Sequence, residues 1–280
     1  MKISVYNLTN GLLADTSVAS AIAAVNRQIT EDFEPWWSMT AKLRLETPTT
    51  SGGPAPERAT DAVIYVWDEV NLDRALGFHT RNNEGVPYGF VFAKLVQSLG
   101  QNWSTILSHE ALELIADPEA NLLTVGPDPR RPGFDALFYY EVCDAVQGDE
   151  YRIDGVPVSN FVTPLYFTQE RESRANDHLG LGIESFGVRP GGYVPYVDLA
   201  DGQDKQIFGS LAAKQNFEAK EEALGVLRRR NRERILGSLP FGAGRSSARR
   251  TSQFRSNRFT SDPRATRATA GARKSRRPRR

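Results

Sequence analysis

Asn102–Pro118, NWSTILSHEALELIADP, carries His109, Glu110, Glu113 and Asp117 within a run whose apolar residues recur at helical spacing. Ile106, Leu107, Ala111, Leu112, Leu114 and Ile115 supply the apolar contacts. Asn102 or Ser104 can cap the start, and Pro118 disfavours helix at the residue before it, so the helix should stop near Asp117. Residues four apart lie over one another, which puts His109, Glu113 and Asp117 in one row, with Glu110 about 100° round from His109.

The charge of this helix needs a partner. From Gln101 to Pro129 there is no Lys or Arg but five carboxylates. Glu113, Asp117 and Glu119 fall near the negative pole of the helix dipole, where an anion is unfavourable by roughly 0.3–1 kcal/mol. A bound metal would compensate, and so would arginines from elsewhere, Arg130 and Arg131 being nearest in sequence. A neutral imidazole at 109 and a carboxylate at 113 are both competent zinc ligands; an oxygen-rich set also suits other divalent metals. The same five residues equally describe an ordinary helix with a hydrogen-bonded histidine.

His109-Glu110-Ala111-Leu112-Glu113 resembles the zincin metallopeptidase signature H-E-x-x-H, with glutamate in place of the second histidine. The segments ALGFH (75–79), VPYGFVFAKL (86–95), SHEALELIADP (108–118), YYEVCDAV (139–146) and DGVPVSNFVTPLYF (154–167) follow in order. Together they look like a group of phage and bacterial metallopeptidase-like proteins that carry the same H-E-x-x-E form. The resemblance covers roughly residues 60–200. It implies zinc held by His109 and Glu113, with Glu110 as general base toward the attacking water. Zincins take a third ligand from beyond the helix, and Glu141 is the first choice. Asp144 is close behind, as a ligand or as the acceptor that orients His109. Asp117 could extend the ligand row, although a third carboxylate overcharges a zinc site. The alternative for Glu141 and Asp144 is pairing with Arg130, Arg131 or Arg152. His79 could reach the cleft as ligand or transition-state donor, or be a plain loop histidine. His178 reads as a turn residue and Cys143 as a small buried one.

The chain has 280 residues, 40% hydrophobic and 25% charged, the composition of a globular protein. No apolar run approaches a membrane span, and MKISVYNLTNG is too short and polar for a signal peptide, so cytoplasmic synthesis is expected. One cysteine excludes an intrachain disulfide. The net charge of +1 conceals an asymmetry: residues 241–280 hold thirteen Arg or Lys against one Asp, and the rest holds 22 basic and 33 acidic side chains.

Lys2–Thr9 reads as a strand, followed by a helix capped at Asp15, Thr16 or Ser17 and closed by Pro35. Met39–Leu45, Asp61–Trp67 and Tyr88–Leu95 read as further strands, with a loop over Thr47–Thr60. That order matches the zincin N-terminal subdomain, in which the strand before the motif helix forms the peptide-binding edge; Gly89–Leu95 would hold that place. Phe138–Val146 reads as a short strand or turn and Val156–Phe167 as extended. The expected fold is α+β: a zincin-like domain over 1–200, a mixed sheet packed on helices, then an amphipathic helical extension over 201–238. A disordered Arg-rich tail over 239–280 completes the chain.

Arg249, Arg250, Arg255, Arg258, Arg273, Lys274, Arg276 and Arg277 of the tail can neutralise phosphates, with Phe254 and Phe259 able to stack on bases. An acidic protein surface would suit the tail as well. Two functions follow as expectations. One is a zinc peptidase, phage-encoded and acting in the host cytoplasm or the virion. The other is an inactive virion-associated protein of the same fold that binds nucleic acid or an acidic partner through the tail.

Overall fold

A computed structural model describes residues 1–46, 60–68, 77–81, 85–168, 175–215 and 217–218. It is an α+β protein. In chain order the elements are β1 (Lys2–Leu8), α1 (Asp15–Arg27), α2 (Glu34–Trp37), β2 (Lys42–Glu46), β3 (Ala62–Trp67), β4 (Gly77–Arg81), β5 (Pro87–Phe92), α3 (Ala93–Ser98) and α4 (Trp103–Ala116). There follow β6 (Leu123–Pro127), β7 (Asp135–Tyr139), β8 (Glu150–Ile153), β9 (Val156–Ser159), β10 (Tyr193–Asp198) and β11 (Gln203–Phe208). Among the described residues no helix is long and apolar enough to cross a membrane.

The first sheet has the order β2-β1-β3-β5-β4, parallel except for β4, which runs antiparallel to β5. Its strands alternate as a sheet covered on both faces requires. Ile3, Val5, Ile64, Val66 and Val91 enter the main core. Tyr6, Tyr65, Trp67, Phe90 and Phe78 stack across the other face, with ring centroids 5.2–5.9 Å apart. Helix α4 packs against β4 and β5 on one side and β9 on the other. Ser104–Ala116 is therefore buried all round, not along one stripe. Its non-site hydroxyls find partners. Ser108 Oγ donates to Gln28 Oε1 at 2.6 Å and accepts from Ser159 N at 3.0 Å, and Ser104 Oγ donates to Pro157 O at 2.8 Å.

Several expectations need correction. The edge of the first sheet is β4, not Gly89–Leu95: β5 lies one strand in, and the chain turns helical at Ala93. Pro35 does not close the first helix. It sits in the first turn of α2, where its missing N–H costs nothing, and Ser38 in the left-handed region ends the helix. Between α1 and α2 the backbone widens into a π-helix, Gln28–Phe33. Ala14, not Asp15, is the N-cap of α1; Asp15 accepts from Asn7 Nδ2 at 2.7 Å. β6 and β7 form a hairpin around Asp128–Phe134, and β10 continues the same sheet. The residue-200 boundary fails because β11 pairs antiparallel with β10 across it. Helix then runs over 211–215 and 217–218. The rest of the helical extension, most of the 47–60 loop and the whole tail, with Arg249, Arg250, Arg255, Arg258, Arg273, Lys274, Arg276 and Arg277, lie outside the described residues.

His178 belongs to this scaffold. Its ring stacks on Phe161 at 4.9 Å and faces Asp32 at 3.7 Å. Burial lowers its pKa, against the opposing pull of Asp32 and Asp177. A histidine whose folded pKa is depressed contributes stability that is complete above its ordinary value and is lost as pH falls below it. His109 and His79, raised in the fold, act in the opposite sense, so the readout is a difference: between pH 7.5 and 5.5 the urea midpoint of the wild type should fall relative to that of His178→Phe. Ser108→Ala leaves Gln28 Oε1 and the Ser159 N–H unsatisfied, which should cost about 1–3 kcal/mol in equilibrium denaturation.

Candidate metal centre

The local fold delivers each site residue for a definite reason. Helical spacing places His109 over Glu113, with His109 Nε2 3.1 Å from Glu113 Oε2. On β4, Phe78 lies on the aromatic face, so its neighbours Gly77 and His79 point toward α4. His79 Nδ1 comes within 3.5 Å of Glu113 Oε2 and 3.6 Å of Glu110 Oε2. Gly77 leaves the room for this, since a Cβ there would lie 2.6 Å from both Glu110 Oε1 and Ile106 Cγ2. After β7 the chain turns beneath the helix. Cys143 N donates to Glu113 Oε1 at 3.2 Å, and Asp144, opening a 3-10 turn, sets Oδ1 3.3 Å from His109 Nε2. Glu141 Oε2 lies 3.8 Å from His79 Nε2. Glu113 is common to all three groupings that could hold a metal: with His109 and Cys143, with His79 and Glu110, and with Glu141 and Asp144.

Two observations fit a cation at this place. His109 Nε2, Glu110 Oε2, Asp144 Oδ1 and His79 Nε2 are buried without a hydrogen-bond partner, although a buried polar atom left unmatched is costly. The separations are also near the right size: ligand atoms about 2.0–2.2 Å from a tetrahedral zinc lie about 3.3–3.6 Å from one another. His109–Glu113 and His109–Asp144 are at 3.1 and 3.3 Å. Four carboxylates face two imidazoles here, an excess of negative charge even with both rings protonated.

Without a metal the imidazoles carry that compensation. Burial lowers the pKa of His109, but Glu113, Asp144 and Glu110 outweigh it and raise it to about 10. His79 is likewise raised well above its usual value, burial being overcome by Glu141, Glu110 and Glu113. Burial raises Glu113, and contact with His109 and His79 more than reverses this, holding it well below the usual carboxylate range. Burial and Glu113 push the Cys143 thiol up, so it is a protonated, buried side chain.

The sequence-derived candidates thus separate. His109, Glu110, Glu113, Glu141, Asp144 and His79 converge. Asp117 does not join them: its Oδ2 accepts from Leu122 N at 2.7 Å and closes the turn after the helix. Asp144, not Glu141, stands against His109. Of the arginines considered as partners, Arg131 pairs with Asp128 and Asp198, and Arg152 donates to Gly155 O. Tyr193 was not foreseen. Burial, with the Asp144 and Glu113 charges and contact with Asp144, raises the pKa of its hydroxyl well above the usual value, so it stays protonated beside that carboxylate. The site opens into a cleft of about 340 Å³ lined on the inner side by His109, Glu110, Gly77 and Tyr193.

Protein prepared without chelator should bind about one divalent transition metal per chain, read by mass spectrometry, and the His109→Ala/Glu113→Ala double variant should bind none. At a free metal concentration near a hundred times Kd, the wild type should gain about 2.7 kcal/mol in stability, a gain the double variant lacks. No family model, curated protein or solved structure matches this chain.

Proposed function

We propose that the protein is a zincin-like, metal-dependent hydrolase acting on peptide bonds. The observation that carries this reading is the convergence of unpartnered buried ligand atoms on Glu113, with Glu110 beside them at the base of an open cleft. His109, Glu113 and Asp144 would hold the ion. A bound divalent ion there supplies Lewis-acid polarisation of the scissile carbonyl and stabilisation of its developing negative charge. Glu110 takes the proton of the attacking water and returns it to the leaving amine. Its position is fixed by Gly77 on one side and His79 on the other. The Cys143 N–H holds Glu113 in orientation, and the protonated Tyr193 hydroxyl lies beside Asp144.

Strand β4 supports a peptide substrate. It is the outer strand of its sheet, and among the described residues no strand pairs with its other side. An extended peptide can add to such an edge. Gly77, at one end of β4, also lines the cleft. The thirteen cationic residues of 241–280 favour an additional anionic partner, nucleic acid or an acidic protein face, whether or not the cleft turns over substrate.

Glu110→Gln should lower kcat on a cleavable peptide by roughly a hundred- to ten-thousand-fold while metal content stays at one ion per chain. Equal turnover by the variant, or wild-type turnover unaffected by chelation, would remove the hydrolytic reading.

A further inference from the structure

We infer that the cleft selects a cationic side chain and that Glu150 is the residue that does so. This rests on the peptidase reading only for the statement that the bound molecule is a peptide. Glu150 opens β8 on the rim of the same cleft as Glu110 and His109. It is exposed, yet its carboxylate is held in place. Asn102 Nδ2 donates to Oε1 at 2.9 Å and to Oε2 at 3.1 Å, and Thr105 Oγ1 donates to Oε2 at 2.8 Å. Asn102 is the N-cap residue of α4 but makes no cap bond with its side chain; its amide goes to Glu150 instead. An ionised carboxylate has about four acceptor directions. Three are taken, and the remaining one is on Oε1.

The rest of the cleft suits the same ligand. Among the described residues lining it there is no Lys or Arg, and both charged groups besides His109 are carboxylates, Glu110 and Glu150. Ile106, Tyr193 and Phe217 give apolar and aromatic surface for the stem of a long side chain, and a cation is attracted to ring faces. Tyr193 and Phe217 pack with centroids 4.6 Å apart. The field of the whole body has the same sign, since residues 1–240 carry 22 basic and 33 acidic side chains. Fixing the carboxylate beforehand removes an ordering cost from binding, which is the reason to place an asparagine and a threonine behind it. The chemistry recognised is therefore a peptide bearing Arg or Lys close to the bond presented to Glu110.

The test compares acetylated, amidated hexapeptides that differ at one central position, Arg against its neutral isostere citrulline. Binding to the full chain carrying Glu110→Gln is followed by fluorescence anisotropy. The arginine peptide should bind about fivefold more tightly than the citrulline peptide, the range of an exposed ion pair, and the difference should vanish in about 1 M salt. Adding Glu150→Gln should remove the difference and leave the citrulline peptide unchanged. Equal binding of the two peptides, or a preference that survives Glu150→Gln, overturns the inference. Turnover by the wild type is read separately. Arginine preference with no cleavage of any peptide keeps this inference and removes the peptidase reading, and cleavage without preference does the reverse.

Discussion

The contact on which the molecule depends is Glu113 buried between two imidazoles. A carboxylate with 1% of its side chain exposed is tolerated only with compensation, and it receives His109 from its own helix, His79 from β4 and an N–H from Cys143. Each of these three groups belongs to a different part of the chain. Meeting the demands of one side chain therefore ties the motif helix to the outer strand of one sheet and to the turn that follows β7. Removing the carboxylate would leave two buried rings facing one another with less negative charge between them. Replacing either ring would leave the carboxylate short of a partner. The site and the core are in this sense one construction, held by electrostatics in a place where apolar side chains would have served stability as well or better.

Burial of α4 on both sides has a corresponding effect on its polar residues. An amphipathic helix would have turned Ser104, Thr105 and Ser108 to water. Here they are met by Pro157 O, Glu150 and Gln28, and these bonds fix the rotation of the helix about its axis. That rotation decides where His109 and Glu110 point. Precision at the cleft is thus set partly on the far side of the helix, where Gln28 reaches across from a π-helical turn to Ser159 O at 2.8 Å.

Much of this was legible. The helix limits, the stacking of His109 on Glu113, and the strands at Lys2–Leu8 and Ala62–Trp67 follow from spacing and apolar runs, because those signals are local; the parallel pairing of the strands is not. His79 was less so. β4 is five residues long with a glycine at its start, and such a strand becomes visible only when its partner, β5, supplies the register His79↔Gly89. Which of Glu141 and Asp144 faces His109 depends on the geometry of one 3-10 turn, which composition does not encode. Pro35 misled because the same residue that ends a helix from inside is well placed in the first turn of the next one. Tyr193 lies eighty residues beyond Glu113, with no spacing that ties it to the motif, and its place beside Asp144 follows from tertiary approach alone.

That approach has an unusual support. Gly148 and Gly191 meet backbone to backbone: a Cβ on Gly191 would stand 2.6 Å from the Cα of Gly148, and one on Gly148 would stand 2.8 Å from the Cα of Gly191. Both line the cleft, one just after the turn that carries Asp144 and the other just before Tyr193. The aperture is consequently set by two absent methyl groups. A single alanine at either position acts as a wedge, spreading the loops that bring a tyrosine hydroxyl to a carboxylate. In a lineage of such proteins, cleft width could thus be retuned by one-carbon changes well away from the histidines, without altering any carboxylate or imidazole gathered around Glu113.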